Sequence, residues 1–89
     1  MTGRGHIDID QINKAKEYLR MIHPKGARQI DIAKFVGCEQ ARAGRLMDLL
    51  SGVSGNANSD KSFLVFADDE IKPTEYRIFR DTETGIKTL

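Results

Sequence analysis

Two short amphipathic stretches joined at a single glycine constrain this chain more than any other feature. From Ala27 to Val36, the residues Ile32, Ala33 and Val36 recur at the spacing that puts them on one face of a helix. Gly37 interrupts the pattern, and Cys38 and Glu39 carry the chain across the break. From Gln40 to Leu50 the pattern resumes, with Ala43, Leu46, Met47 and Leu50 on one side. Ala41, Gly44, Arg45 and Asp48 project to the opposite side, and Arg42 lies on a flank. The spacing therefore predicts two helices meeting at a tight turn, each with an apolar face to bury.

A longer helix precedes them. Asp8 and Gln11 have the spacing of a capping box, and Ile7 and Ile12 that of a hydrophobic staple. Ile9, Ile12, Ala15, Leu19 and Ile22 follow at helical spacing, with Lys14, Lys16, Glu17 and Arg20 off the stripe. His23-Pro24-Lys25-Gly26 ends the run, because proline disfavours helical geometry in the residue before it and glycine suits a turn. A helix is expected over Ile9–Ile22, after a loose arm at residues 1–6.

The C-terminal half reads differently. Ser51–Ser62 is a polar segment of twelve residues, nine of them Gly, Ser, Asn or Asp, and is expected to be a long loop. Phe63-Leu64-Val65-Phe66 and Tyr76-Arg77-Ile78-Phe79 are short runs of strand type. Between them lies ADDEIKPTE, residues 67–75, with Asp68-Asp69-Glu70 at its acidic end, so a hairpin is expected. Residues 81–89 contain Thr84-Gly85, a candidate turn, and form either a short extra strand or a tail.

This order of elements, and the segment Arg28–Met47 in particular, resembles the winged helix-turn-helix of small bacterial and phage transcriptional regulators. Ala33 allows close helix approach, Gly37 tolerates a left-handed backbone, Cys38 serves as a small apolar plug, and Ala43 and Met47 seat the third helix. The resemblance implies an α+β fold over residues 7–80, a three-helix bundle with a C-terminal hairpin wing of two to three strands. Two departures stand out. Arg28 and Glu39 occupy places where Ser or Thr commonly caps a helix, and Gly44 interrupts the third helix at a cost of about 1 kcal/mol relative to alanine. A close approach of Gly44 to another helix or to DNA would account for it.

The resemblance also implies sequence-specific binding of double-stranded DNA, with helix 40–50 in the major groove. Gln40, Ala41, Arg42, Gly44 and Arg45 are the candidates to meet base edges, since arginine suits guanine, glutamine suits adenine and alanine can touch a thymine methyl. Lys25, Arg28 and Lys34 are candidate phosphate contacts, as is Arg77 (or Arg80) from the hairpin. Charge placement agrees with this. The whole chain carries only +1, yet Asn13–Arg45 holds eight Lys and Arg against Glu17, Asp31 and Glu39. The acidic hairpin tip would be repelled by phosphate and is expected to face solvent or a protein partner. The resemblance also implies that a homodimer is possible, because two-fold regulators match two-fold operators; Leu49, Ile71, Ile86 and Leu89 are apolar residues that either pack within the domain, as Leu49 would under the hairpin, or contribute to a subunit interface. The rival reading is a winged-helix module that docks on a protein and binds no DNA.

Size and composition bound the alternatives. Eighty-nine residues leave room for one small domain. One cysteine excludes an intramolecular disulfide and a multi-cysteine zinc site, and suits a reducing cytoplasm. No apolar run has the length of a membrane span, and MTGRGHIDID lacks the apolar core of a signal peptide. Paired catalytic carboxylates, a nucleophile–base set, a Walker sequence and a dinucleotide glycine pattern are all missing, so neither catalysis nor a cofactor is expected. Asp68-Asp69-Glu70 lacks the alternating oxygen ligands of a calcium loop. His6 and His23 read as solvent histidines rather than metal ligands, and Cys38 as a core residue rather than a nucleophile.

Overall fold

The structure is a computed structural model that describes residues 9–51 and 62–87. Helix α1 spans Ile9–Ile22, strand β1 Ala27–Arg28, helix α2 Gln29–Val36 and helix α3 Gln40–Ser51. Strands β2 (Phe63–Asp68), β3 (Glu75–Asp81) and β4 (Ile86–Lys87) follow. The result is a small α+β domain with three helices and an antiparallel sheet in the order β1-β3-β2. β1 and β4 both pair with β3, at opposite ends of it: Ala27 faces Tyr76, and Lys87 faces Arg80.

Each helix is set by its apolar stripe. In α1, Ala15 and Leu19 are buried, while Ile12 and Ile22 pack partly against the core. Ile9 remains 66% exposed, so the stripe expected to begin there begins at Ile12 instead. In α2, Ile32, Ala33 and Val36 are buried as the spacing requires, and in α3 so are Ala43, Leu46, Met47 and Leu50. Val65, Ile78, Tyr76 and Phe63 close the core from the sheet. Burying each large apolar side chain contributes roughly 1.5–3 kcal/mol relative to exposure. Tyr18 of α1 stacks on Phe35 of α2 with ring centroids 4.9 Å apart, which ties the two helices at their outer edge.

The turn at Gly37 is built as its sequence demands. Gly37 sits at φ 85°, ψ 38°, a left-handed conformation that L side chains avoid, and the N–H groups of Gly37 and Cys38 both donate to the Ala33 carbonyl. Cys38 packs partly against the core, and burial pushes its thiol pKa up against the opposing charge of Arg42. The thiol therefore stays protonated.

Three expectations are corrected. The second helix does not begin at Ala27: Ala27 and Arg28 leave the helical pattern and pair with β3, and α2 starts at Gln29. Sheet pairing outweighs helical propensity here because Tyr76 and Glu75 offer the strand partners. Arg28, although a poor cap by side chain, precedes Asp31, whose carboxylate accepts the Arg28 N–H at 3.3 Å and so satisfies that one donor at the helix start. The hairpin strands are also longer than their apolar runs, reaching Asp68 and Glu75, so that the tip is confined to residues 69–74. Finally, His23 is half-buried, with its Nε2 out of solvent and unpartnered among the described residues. At the C-terminal end, of the two alternatives, a short strand forms: Gly85 takes φ 79° and β4 folds back on β3. The arm at 1–6, Asp8 and Ile7, and most of the 51–62 segment lie outside the described residues, as do His6 and Leu89.

Candidate nucleic-acid interface

α3 presents an exposed polar surface. Its buried side seats against α2 and β2, and this leaves Gln40, Ala41, Arg45 and Asp48 exposed on the opposite side, with Arg42 half-buried on the flank. Four of the five residues expected to face a ligand thus lie at or near one surface of the helix. Gly44 does not. It is buried, and a side chain built there would meet Gln29 Nε2 at 2.9 Å and Gln29 Cδ at 3.2 Å. Of the two explanations open for this glycine, close helix approach is the one realised, and Gly44 is withdrawn from the candidate contacts. Gln29 Nε2 in turn donates to the Tyr76 hydroxyl at 3.3 Å, so α2, α3 and β3 meet at one polar contact behind the exposed surface.

The cations expected around this helix divide into two groups. Arg20 and Lys16 are turned to the structure itself. Arg20 bonds the buried Asp81, and both side chains lie over the Phe63 ring, at 5.3 and 5.4 Å from its centroid. Lys25, Arg28 and Lys34 are exposed, in the α1–β1 turn, at the start of α2 and in its last turn. Arg28 has one loose ion-pair contact, with Nε 3.9 Å from Glu75 Oε2.

The hairpin candidate Arg77 is already engaged. Its guanidinium lies 4.6 Å from the Phe66 ring centroid, and Nη1 is 3.5 Å from Asp68 Oδ2. Cross-strand register explains this, because Phe66 is directly opposite Arg77 and Asp68 opposite Glu75 on the same face of the hairpin. The acidic tip is also partly self-satisfied. Asp68 Oδ1 accepts the Glu70 N–H at 3.2 Å, and Asp69 Oδ1 accepts the Thr74 hydroxyl at 3.2 Å.

The C-terminal part of the tip lies beside the starts of α2 and α3. A half-open cleft of about 260 Å³ lies between them, lined by Arg28, Gln29 and Ile30 from the start of α2, Gln40 from the start of α3, and Lys72, Pro73 and Thr74 from the tip. Arg28 and Gln40, separately expected as contacts, are therefore brought to one place. Lys72, Ile30 and Thr74 join them there and were not among the expected residues. A lysine inside an acidic run gives no sign in sequence of which way the hairpin leans. Among the described residues, no group of three His, Cys, Asp or Glu side chains is arranged to hold a metal ion. No helix among them is long and apolar enough to cross a membrane. No family model, curated protein or solved structure matches this chain.

Proposed function

We propose that the chain is a winged helix-turn-helix protein that binds double-stranded DNA in a sequence-specific way and acts in transcriptional regulation. The observation that carries this reading is the outward row Gln40, Ala41 and Arg45 on α3, set opposite a fully buried seat of Ala43, Leu46 and Met47. A helix inserted into a major groove needs that division: one face rigidly held by the domain, the other offering groups that match base edges. The chain order of three helices with β1 before α2, and the sheet order β1-β3-β2 with a hairpin between β2 and β3, support the winged-helix assignment. Exposed Lys25, Arg28 and Lys34 supply positioning charge on the helical side. Two copies reading a two-fold site would extend the same reading.

A salt titration tests it. Mixed-sequence duplex is expected to bind in the micromolar range at low salt and to weaken steeply as salt rises. A selection of bound duplexes from a random pool is then expected to return one preferred sequence. Absence of binding at low salt would transfer the proposal to the rival, a protein-docking module. That alternative has its own support in Met21, which is 64% exposed, and Phe35, 37% exposed, on the α1 and α2 surfaces.

A further inference from the structure

The cleft between the hairpin tip and the starts of α2 and α3 adds a contact that the helix alone does not supply. We propose that it takes one sugar–phosphate unit of a nucleic-acid backbone, held by Arg28 and Lys72. The proposal rests on the DNA-binding reading and deepens it, because it places on DNA a hairpin whose tip reads as acidic.

Three observations carry it. First, Arg28 and Lys72 come from different elements and line the same cleft, and both residues are exposed. The competing partner of Arg28 is weak: the 3.9 Å contact with Glu75 joins side chains that are 46% and 29% exposed. Such a pair contributes little in water, whereas a phosphate accepts shorter, charge-assisted bonds from the same guanidinium. Second, none of Asp68, Asp69 and Glu70 lines the cleft. Asp68 is drawn to Arg77 and the Glu70 N–H, and Asp69 to the Thr74 hydroxyl. The carboxylates beside the lining are Glu75, 3.9 Å from Arg28, Asp31, bonded to the Arg28 N–H, and Asp69, bonded to the lining residue Thr74. Third, the remaining lining suits a backbone unit. Ile30 and Pro73 offer apolar surface to a sugar, and the Gln40 amide can donate to an ester oxygen. At about 260 Å³ and half-open, the cleft falls below the usual range of enclosed small-molecule sites, about 300–1,000 Å³, and suits a strand passing through.

The test is a fluorescence-anisotropy titration of the full chain with a mixed-sequence duplex at several salt concentrations. Lys72→Gln and Arg28→Gln are each expected to weaken binding about three- to tenfold at low salt and to lower the slope of log affinity against log salt by about one. Neither should alter which sequence is preferred. Asp69→Asn is expected to tighten binding. Thermal melts confirm folding, and Lys72, exposed on the tip, keeps the test valid if Arg28→Gln disturbs β1. Wild-type protein that fails to bind duplex at low salt removes the underlying reading. Wild-type protein that binds, with folded Lys72→Gln and Arg28→Gln variants of unchanged affinity and salt slope, overturns the cleft alone. A second arm separates backbone from free nucleotide by titrating a deoxynucleoside monophosphate and following the amide signals of Ile30 and Lys72. Binding at millimolar concentration or weaker, displaced by duplex, is expected. Micromolar binding that duplex fails to displace would make this a nucleotide site and overturn the proposal.

Discussion

Arg20 of α1 grips Asp81 at the end of β3 through two hydrogen bonds, Nε to Oδ2 at 2.7 Å and Nη2 to Oδ1 at 3.1 Å. Asp81 is fully buried, and its remaining lone pairs accept the Thr84 hydroxyl at 2.6 Å and the Glu83 N–H at 3.2 Å. All four acceptor sites of the carboxylate are used, so its burial is compensated. The same residue therefore locks the first helix to the sheet and shapes the turn that returns β4 to β3.

Stability should depend on this carboxylate in acid. The Arg20 guanidinium holds the Asp81 pKa down to about 2, below the ordinary 3.8. A depressed folded-state pKa means that the stabilisation is complete above the unfolded value and is lost as pH falls through the folded one. Urea unfolding at pH 5 and pH 2 should show a loss of about 2 kcal/mol attributable to this group. Asp81→Asn should be destabilised by roughly 2–4 kcal/mol at neutral pH, since it breaks the buried ion pair and leaves Arg20 only its exposed ion-pair contact with Glu83 at 2.7 Å, and should lose less on acidification. An Asp81→Asn variant with the wild-type acid dependence would remove Asp81 as its source.

Gly44 and Gln29 should be energetically coupled. Gly44→Ala gains about 1 kcal/mol of helix propensity but pushes the Gln29 amide off its bond to Tyr76, because the new Cβ would lie 2.9 Å from Nε2. The obstructing atom is the end of a flexible side chain, so the two effects should nearly cancel, within about 1 kcal/mol. In a Gln29→Ala background the obstruction is gone, and Gly44→Ala should then stabilise by about 1 kcal/mol. A double-mutant cycle by chemical denaturation measures the coupling, and additivity would refute it.

Gly37→Ala should cost roughly 1–2 kcal/mol, from the left-handed backbone alone. Beyond the adjoining residues, no heavy atom lies within 4 Å of a Cβ built there, so packing against other parts of the fold does not contribute. Gly37→Asn should cost less, because asparagine visits that region more readily. Equal melting temperatures for glycine and alanine would contradict the turn geometry.

On the proposed DNA-binding surface, Arg45→Ala should lose roughly 1–3 kcal/mol on a selected site and relax preference at one base pair. Its exposure means that folding should be little affected. Unchanged affinity together with an unchanged selected sequence would exclude Arg45 from base contact.

Periodicity alone marked the three helices and most of their inward faces, since Leu19, Ile32, Ala33, Leu46 and Met47 are all buried where the 3.6-residue repeat puts them. The turn at Gly37 and the hairpin were equally legible, because local backbone chemistry and strand propensity are carried by the residues themselves. Tertiary structure alone decided the rest. Ala27–Arg28 became a strand only because β3 was there to pair with, and Gly44 became a packing residue only because Gln29 lies over it. Nothing in the sequence marks Asp81, which Arg20, sixty-one residues earlier, reaches only in the folded chain. Lys72, two residues beyond an acidic run in sequence, lines one cleft with Arg28 and Gln40 only in the folded chain. The common reason is range: helical repeats and turns are settled by neighbours in sequence, whereas pairing partners, buried ion pairs and cleft walls are settled by residues that only the folded chain brings together.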